Sequence, residues 1–127
     1  MIVREPSRMN QAFAEAFNSR CVQNLLALYE PDAVLRVDGS GRELIGLSAI
    51  EQELARLLQA PGRMTSRNNF YLVQGDLALL RADWDLVTED GVVVVSGSSA
   101  EVVRRGPDGA WRYVIDHAAG AGLPRVA

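Results

Sequence analysis

Four apolar-rich stretches fill the second half of the chain, at residues 64–74, 77–88, 92–105 and 111–118, and each reads as a long strand. Gly75-Asp76, Asp90-Gly91 and Asp108-Gly109 separate them. Gly accepts a positive φ and Asp bonds its own backbone, so each pair suits a two-residue hairpin turn. Successive hairpins make an antiparallel meander, and four long strands in one sheet must twist and curl. Alternation then sorts the side chains. Leu80, Ala82, Trp84 and Leu86 share one face of their strand, with Arg81, Asp83 and Asp85 on the other. Ser99, Glu101 and Val103 share a face, as do Trp111, Tyr113, Ile115 and His117, opposite Arg112, Val114 and Asp116. A single bulge reverses such a sorting beyond the point where it occurs.

The first half has helical spacing instead. Met9, Ala12, Phe13, Ala16 and Phe17 recur at three and four residues, which predicts a helix from Ser7, its N-cap, to about Phe17. A short helix is expected over 21–29, with Val22, Leu25 and Leu26 inward and Pro31 ending it. A strand over 33–37, a turn over 38–41 and a short strand over 43–45 follow. Ser48 and Glu51 then form a capping box ahead of the stripe Ile50, Leu54, Leu57 and Leu58, and Pro61-Gly62 closes that third helix. The order is that of an α+β domain, helices on one face of a curved antiparallel sheet. Such a cone has a mouth, and the only histidine, His117, falls near the end of the last strand.

At 127 residues the chain is expected to be a single domain, its core spanning about 7–120. Composition changes the picture mainly by exclusion. Net charge is −3, with neither a basic face nor interleaved aromatics, so nucleic acid is not an expected partner. No stretch approaches a membrane span and the first ten residues lack an apolar signal core, so a cytoplasmic location is expected. The lone Cys21 is compatible with that compartment. All 13 basic residues are Arg, a bias with no functional weight. One His and one Cys cannot build a nitrogen–sulfur zinc site, and no phosphate loop or nucleophile elbow is present, so neither metal nor cofactor is expected.

The stretches FAEAFNSRCVQNLLALYEPDAVLRVDG, LIGLSAIEQEL, GDLALLRADWDL and DGAWRYVIDHAAG together resemble the NTF2-like superfamily, and within it the stand-alone SnoaL-like and ketosteroid-isomerase-like domains. The resemblance runs from about Ser7 to Gly120. It implies an NTF2-like (cystatin-like) cone with a pocket between the concave sheet and three helices, and a homodimer through the outer sheet face. It is specific for fold and weak for function, because that fold carries many activities. Ketosteroid isomerases use a carboxylate base, and a Tyr and a protonated acid to hold an oxyanion. The resemblance puts Phe13 where that Tyr stands, Val37 (beside Asp38) at the base, and Glu101 at the acid. With two of the three positions lost, steroid isomerisation by that mechanism is rejected.

The residues then offer their own chemistry. Glu101, hemmed by Trp84, Phe13 and Phe17, would be desolvated, which raises a carboxyl pKa towards useful values. His117 titrates near neutrality unaided. Glu101 and His117 are therefore the catalytic candidates for proton transfer on a small apolar carbonyl or hydroxyl compound. Phe13, Phe17 and Trp84 are candidates for the pocket wall, and Tyr113 and Asn68 for orienting a ligand oxygen. The alternatives stay open: Glu101 can instead face outward and pair with Arg81 or Arg104. The cone can serve a cofactor-free isomerase, dehydratase or cyclase, a ligand carrier without turnover, or an association module with a filled interior.

Overall fold

A computed structural model describes residues 2–37 and 41–126, so Asp38 and the start of its turn lie outside the described residues. Three helices, α1 (Met9–Asn18), α2 (Val22–Leu26) and α3 (Leu47–Leu57), cover one face of a seven-stranded curved sheet. The strands are β1 (Tyr29–Arg36), β2 (Leu44–Ile45), β3 (Arg63–Gln74), β4 (Leu77–Val87), β5 (Val93–Ser98), β6 (Ala100–Arg105) and β7 (Trp111–His117). Their spatial order is β2-β1-β7-β6-β4-β3, with β5 also on β4. Leu80, Leu86, Val103 and Tyr113 point from the concave face into a core shared with Met9, Phe17, Leu25 and Ile50, all essentially inaccessible. No helix among the described residues is long and apolar enough to cross a membrane.

Several local readings need correction, each for a physical reason. Ser7 is not the cap of α1: a 3-10 turn over Pro6–Arg8 precedes that helix, opened by a proline whose φ is already set. Ser48 is not a cap either. Gly46, at φ +87°, is the residue before α3 and no side chain caps it; Ser48 sits already inside the first turn. Gly46 is pinned by its amide to the Ala33 carbonyl, so the turn follows the sheet and not the capping sequence. The second helix ends at Leu26, and Tyr29 is already strand. There β1 runs parallel to β7, the Tyr113 amide bonding the Leu28 carbonyl at 2.7 Å. Pro31 falls where the register between those strands shifts, so its missing N–H breaks no regular ladder.

The hairpins match in place but not all in type. Gly75-Asp76 is a two-residue loop, since Gln74 pairs Leu77. Asp90-Gly91 and Asp108-Gly109 instead end three-residue loops, Thr88 bonding Val92 and Gly106 bonding Ala110. In both, Gly takes the left-handed position, at φ +86° and +79°. The stretch 92–105 divides into β5 and β6 at Ser99, whose amide bonds the Ala82 carbonyl at 2.8 Å.

The correction that matters most for the site is on β7. Val103 pairs Tyr113 but Val102 pairs Ile115, so Val114 is an extra residue in the strand. Alternation is reversed beyond it. Ile115, expected inside, is 47% exposed, whereas Asp116, expected outside, is 6% exposed and stands directly across from Glu101.

Candidate functional site

Between the concave sheet and the helices lies a cavity of about 460 Å³, within the range of small-molecule sites. Its walls are apolar: Phe13 from α1, Leu57 from α3, Met64 from β3, Trp84 from β4 and Val95 from β5. Strand and helix periodicity put them there, each lying on the inward face of its element. Trp84 is held on both sides. Its indole N–H donates to the Ala118 carbonyl at 2.8 Å, and its ring lies over Gly97, where a Cβ would stand only 2.7 Å from Cζ2. Gly97 is therefore the space the indole occupies. A wider surface depression of about 900 Å³ lies by Gly62, Arg63, Glu89 and Asp90. None of its lining residues is a buried titratable side chain.

The cavity's polar end is built from three elements. Asn10 of α1 is 3% exposed, Glu101 of β6 is 4% exposed, and Tyr113 and Asp116 come from β7. The Tyr113 hydroxyl donates to Asn10 Oδ1 at 2.6 Å, and Asn10 Nδ2 donates to Glu101 Oε1 at 3.3 Å. Separately, the Tyr29 hydroxyl donates to Asp116 Oδ2 at 2.5 Å. Tyr29 reaches Asp116 because β1 lies beside β7, and its ring packs at a tilt against that of Tyr113, centroids 5.0 Å apart.

Electrostatics follow from this burial. Loss of water pushes the Glu101 carboxyl up to about 8; the Asp116 charge adds to that, while hydrogen bonds from Ser99 and Asn10 oppose it. Burial likewise raises Asp116 to about 6, with the Tyr29 hydrogen bond pulling the other way. Among the described residues the partners of both carboxyls are neutral donors. Two adjacent acids without a cation titrate as one pair, and near neutrality they hold about one proton between them. Burial first, then the neighbouring carboxyls, raises Tyr29 and Tyr113 well above the ordinary tyrosine range, so both stay donors.

The expected site residues divide accordingly. Glu101, Trp84, Phe13 and Tyr113 line the cavity. His117 does not, because the bulge at Val114 turns it away; it pairs with Ala100 and Arg36, and its Nδ1 accepts from the Ala119 amide at 3.4 Å. Phe17 is wholly buried in the core beneath the Arg20 guanidinium, and so is packing rather than wall. Asn68 lies on β3 next to the Asn68/Phe70 register shift and does not line the cavity. Glu101 does not face outward with Arg81 or Arg104; Arg104 pairs with Glu30 instead.

Asp116, Asn10 and Tyr29 were missed. A signal existed for Asn10, a lone amide one turn before Phe13 on an apolar helix stripe. None existed for Asp116, since regular alternation points it outward. Among the described residues no cluster of His, Cys, Asp or Glu is suited to a metal ion.

A profile of the SnoaL-like domain matches residues 10–114. No curated protein is similar enough to count as a relative. Solved structures are similar in fold across most of the chain. A candidate calcium/calmodulin-dependent protein kinase type II association domain from Thiobacillus denitrificans superposes with TM-score 0.77 at 20% identity, covering 94% of this chain and 97% of that one. An NTF-2 like protein of unknown function from Shewanella oneidensis gives 0.73 at 15% identity, covering 88% and 93%. A candidate ketosteroid isomerase from Parabacteroides distasonis gives 0.69 at 20% identity, covering 85% and 81%. With its α+β cone and a profile match over most of its length, the chain belongs to the SnoaL-like family and has the NTF2-like fold.

Proposed function

We propose that this domain binds a small, largely apolar carbonyl or hydroxyl compound in its cone and moves a proton on it, without a cofactor, through Glu101 and Asp116. This places the work in the class of isomerases, dehydratases and cyclases. One observation carries the reading: two buried carboxyls, whose partners among the described residues are neutral donors, face the same apolar cavity. An ordinary core has no use for such a pair, because each buried charge costs several kcal/mol. Asp116 takes the part first assigned to His117. We also infer a cytoplasmic location, from the single exposed Cys21.

Proton transfer can be read without the natural substrate, as deuterium uptake next to the carbonyl of small ketones in heavy water. The parent is expected to catalyse it. Glu101→Gln and Asp116→Asn are expected to lower the rate by about 100-fold or more each. Tight binding of such ketones with no exchange would leave a carrier. Neither binding nor exchange would end the reading.

A second reading concerns the outer sheet face and rests on a different observation. Ile45, Val34, Ile115, Val102, Leu79 and Leu72 are successive cross-strand partners, an apolar row from one sheet edge to the other. Ile45, Leu72, Leu79 and Ile115 are 66%, 63%, 45% and 47% exposed. Single exposed apolar residues need no explanation, but a continuous row marks a contact surface. We infer a homodimer through this face. Charges of both signs on the same face, Arg81, Asp83 and Arg112 among them, suit a two-fold that sets unlike charges together. Leu79→Arg is expected to weaken the dimer by about thirtyfold or more in light scattering. A parent mass of one chain at every concentration would remove the dimer.

A further inference from the structure

The floor of the cone has a polarity of its own, beyond the presence of two acids. Glu101 and Asp116 are direct cross-strand partners on β6 and β7, so their carboxyls enter the cavity side by side. They are not equivalent. Asp116 accepts a hydrogen bond from a phenol, at 2.5 Å, while Glu101 accepts the longer amide bond from Asn10, at 3.3 Å, and is also stabilised as a carboxylate by the Ser99 hydroxyl. A phenol donor favours the ionised form of the carboxyl it reaches. Among the described residues, the titratable groups that act on the pair are Tyr29 from β1 and Tyr113 from β7. Arg56 of α3 reaches the cavity lining, and its guanidinium is engaged by Glu53.

We propose that Glu101 and Asp116 form one bifunctional element, polarised by Tyr29 so that Glu101 donates and Asp116 accepts. Its ligand is therefore an uncharged molecule with a carbonyl acceptor and, on the atom next to that carbonyl carbon, a proton it can share or give up, such as a lactam or an enolisable carbonyl. This rests on the cavity being a small-molecule site and goes further by naming the ligand's chemistry. Tyr29 does not line the cavity and acts only through Asp116, so it is a positioning residue. Phe13, Tyr113 and Trp84 supply aromatic walls suited to a planar body.

The reaction such a grip permits is tautomerisation. Glu101 gives its proton to the ligand oxygen while Asp116 takes one from the adjacent carbon or nitrogen. An O–H bond forms as a C–H or N–H bond breaks, and C=O becomes C–OH beside a new C=C or C=N. The pair's proton ends on Asp116 and returns to Glu101 across the strand pair. No electrons leave and no co-reactant is needed.

The test is binding of two isosteric bicyclic probes, the lactam carbostyril and the lactone coumarin, which lacks the N–H, followed by calorimetry across pH. Carbostyril is expected to bind about tenfold more tightly at neutral pH, the factor carried by one well-made hydrogen bond. Two limbs should follow. At acid pH the preference should shrink, because a protonated Asp116 offers only a neutral carboxyl oxygen where a carboxylate stood; at alkaline pH both probes should weaken together, because Glu101 has lost the proton it gives to their shared carbonyl. Tyr29→Phe is expected to move the acidic limb upward by about one pH unit, the size of a lost hydrogen bond to a carboxylate.

Equal affinities, or a preference flat across pH, would overturn the inference while leaving the cavity a binding site. An unmoved acidic limb in Tyr29→Phe would overturn the part given to Tyr29. Should that variant not fold, the parent's two limbs still decide the matter. Binding of neither probe would overturn both this inference and the reading beneath it.

Discussion

Glu101→Gln should be more stable than the parent at alkaline pH and no more stable at acid pH. In the unfolded chain this carboxyl loses its proton near 4.5; in the folded protein burial holds the proton until about 8. Between those values the folded state binds more protons than the unfolded one. Stability must therefore fall as pH rises through that window, and the whole cost is present above it. Glutamine has no proton to lose and keeps both a donor and an acceptor for Asn10 and Ser99. The expected gain is nil below the window and on the order of 5 kcal/mol at full ionisation above it, which is about 15 °C or more in a domain of this size. Asp116, raised to about 6, leaves a smaller slope of the same sign in the variant. Thermal melts of both proteins from acid to alkaline pH check this. Parallel curves would mean that the carboxyl is solvated and that the floor of the cavity is not what its geometry suggests.

Phe17→Ala should be the most damaging single truncation on α1, and it should leave ligand preference alone. Phe17 is fully inaccessible, with the Arg20 guanidinium 4.5 Å above its ring. Removing it leaves a void that close-packed neighbours cannot fill, at a cost of about 4 kcal/mol. That is a large share of the roughly 5–15 kcal/mol that holds a domain together. Phe13 lies one turn away on the same helix but is half-buried and borders the cavity. Phe13→Ala removes contacts on one side only, so it should cost less in stability and more in carbostyril affinity. Denaturant melts and binding on the two variants separate the roles. If Phe17→Ala proved the milder change, the division between core and wall would be wrong.

Phe13 and Phe17 show how far helical periodicity reaches. It places both on the buried side of α1, yet it cannot tell core from cavity wall, because both look equally apolar. Alternation did as well on the regular strands: Leu80, Ala82, Leu86, Ser99, Glu101 and Val103 all face inward as expected. It failed only beyond Val114, where one extra residue turns Asp116 in and Ile115 out. Nothing in the local composition marks that residue. Tyr29 was misread for a different reason. Its helical appearance is overridden by pairing with Tyr113, a contact eighty-four positions away.

Local signals in the chain, namely turn residues, period-two and period-three-to-four apolar patterns, and length, were enough for an α+β cone with Glu101 and Trp84 on its inner side. Those signals are short-range, since backbone geometry repeats over a few residues. The choice of Asp116 over His117, and its coupling to Tyr29, came only from tertiary structure. A bulge and a parallel strand pair are settled by what packs across the sheet, and neighbours distant in sequence leave no mark on the residues beside them.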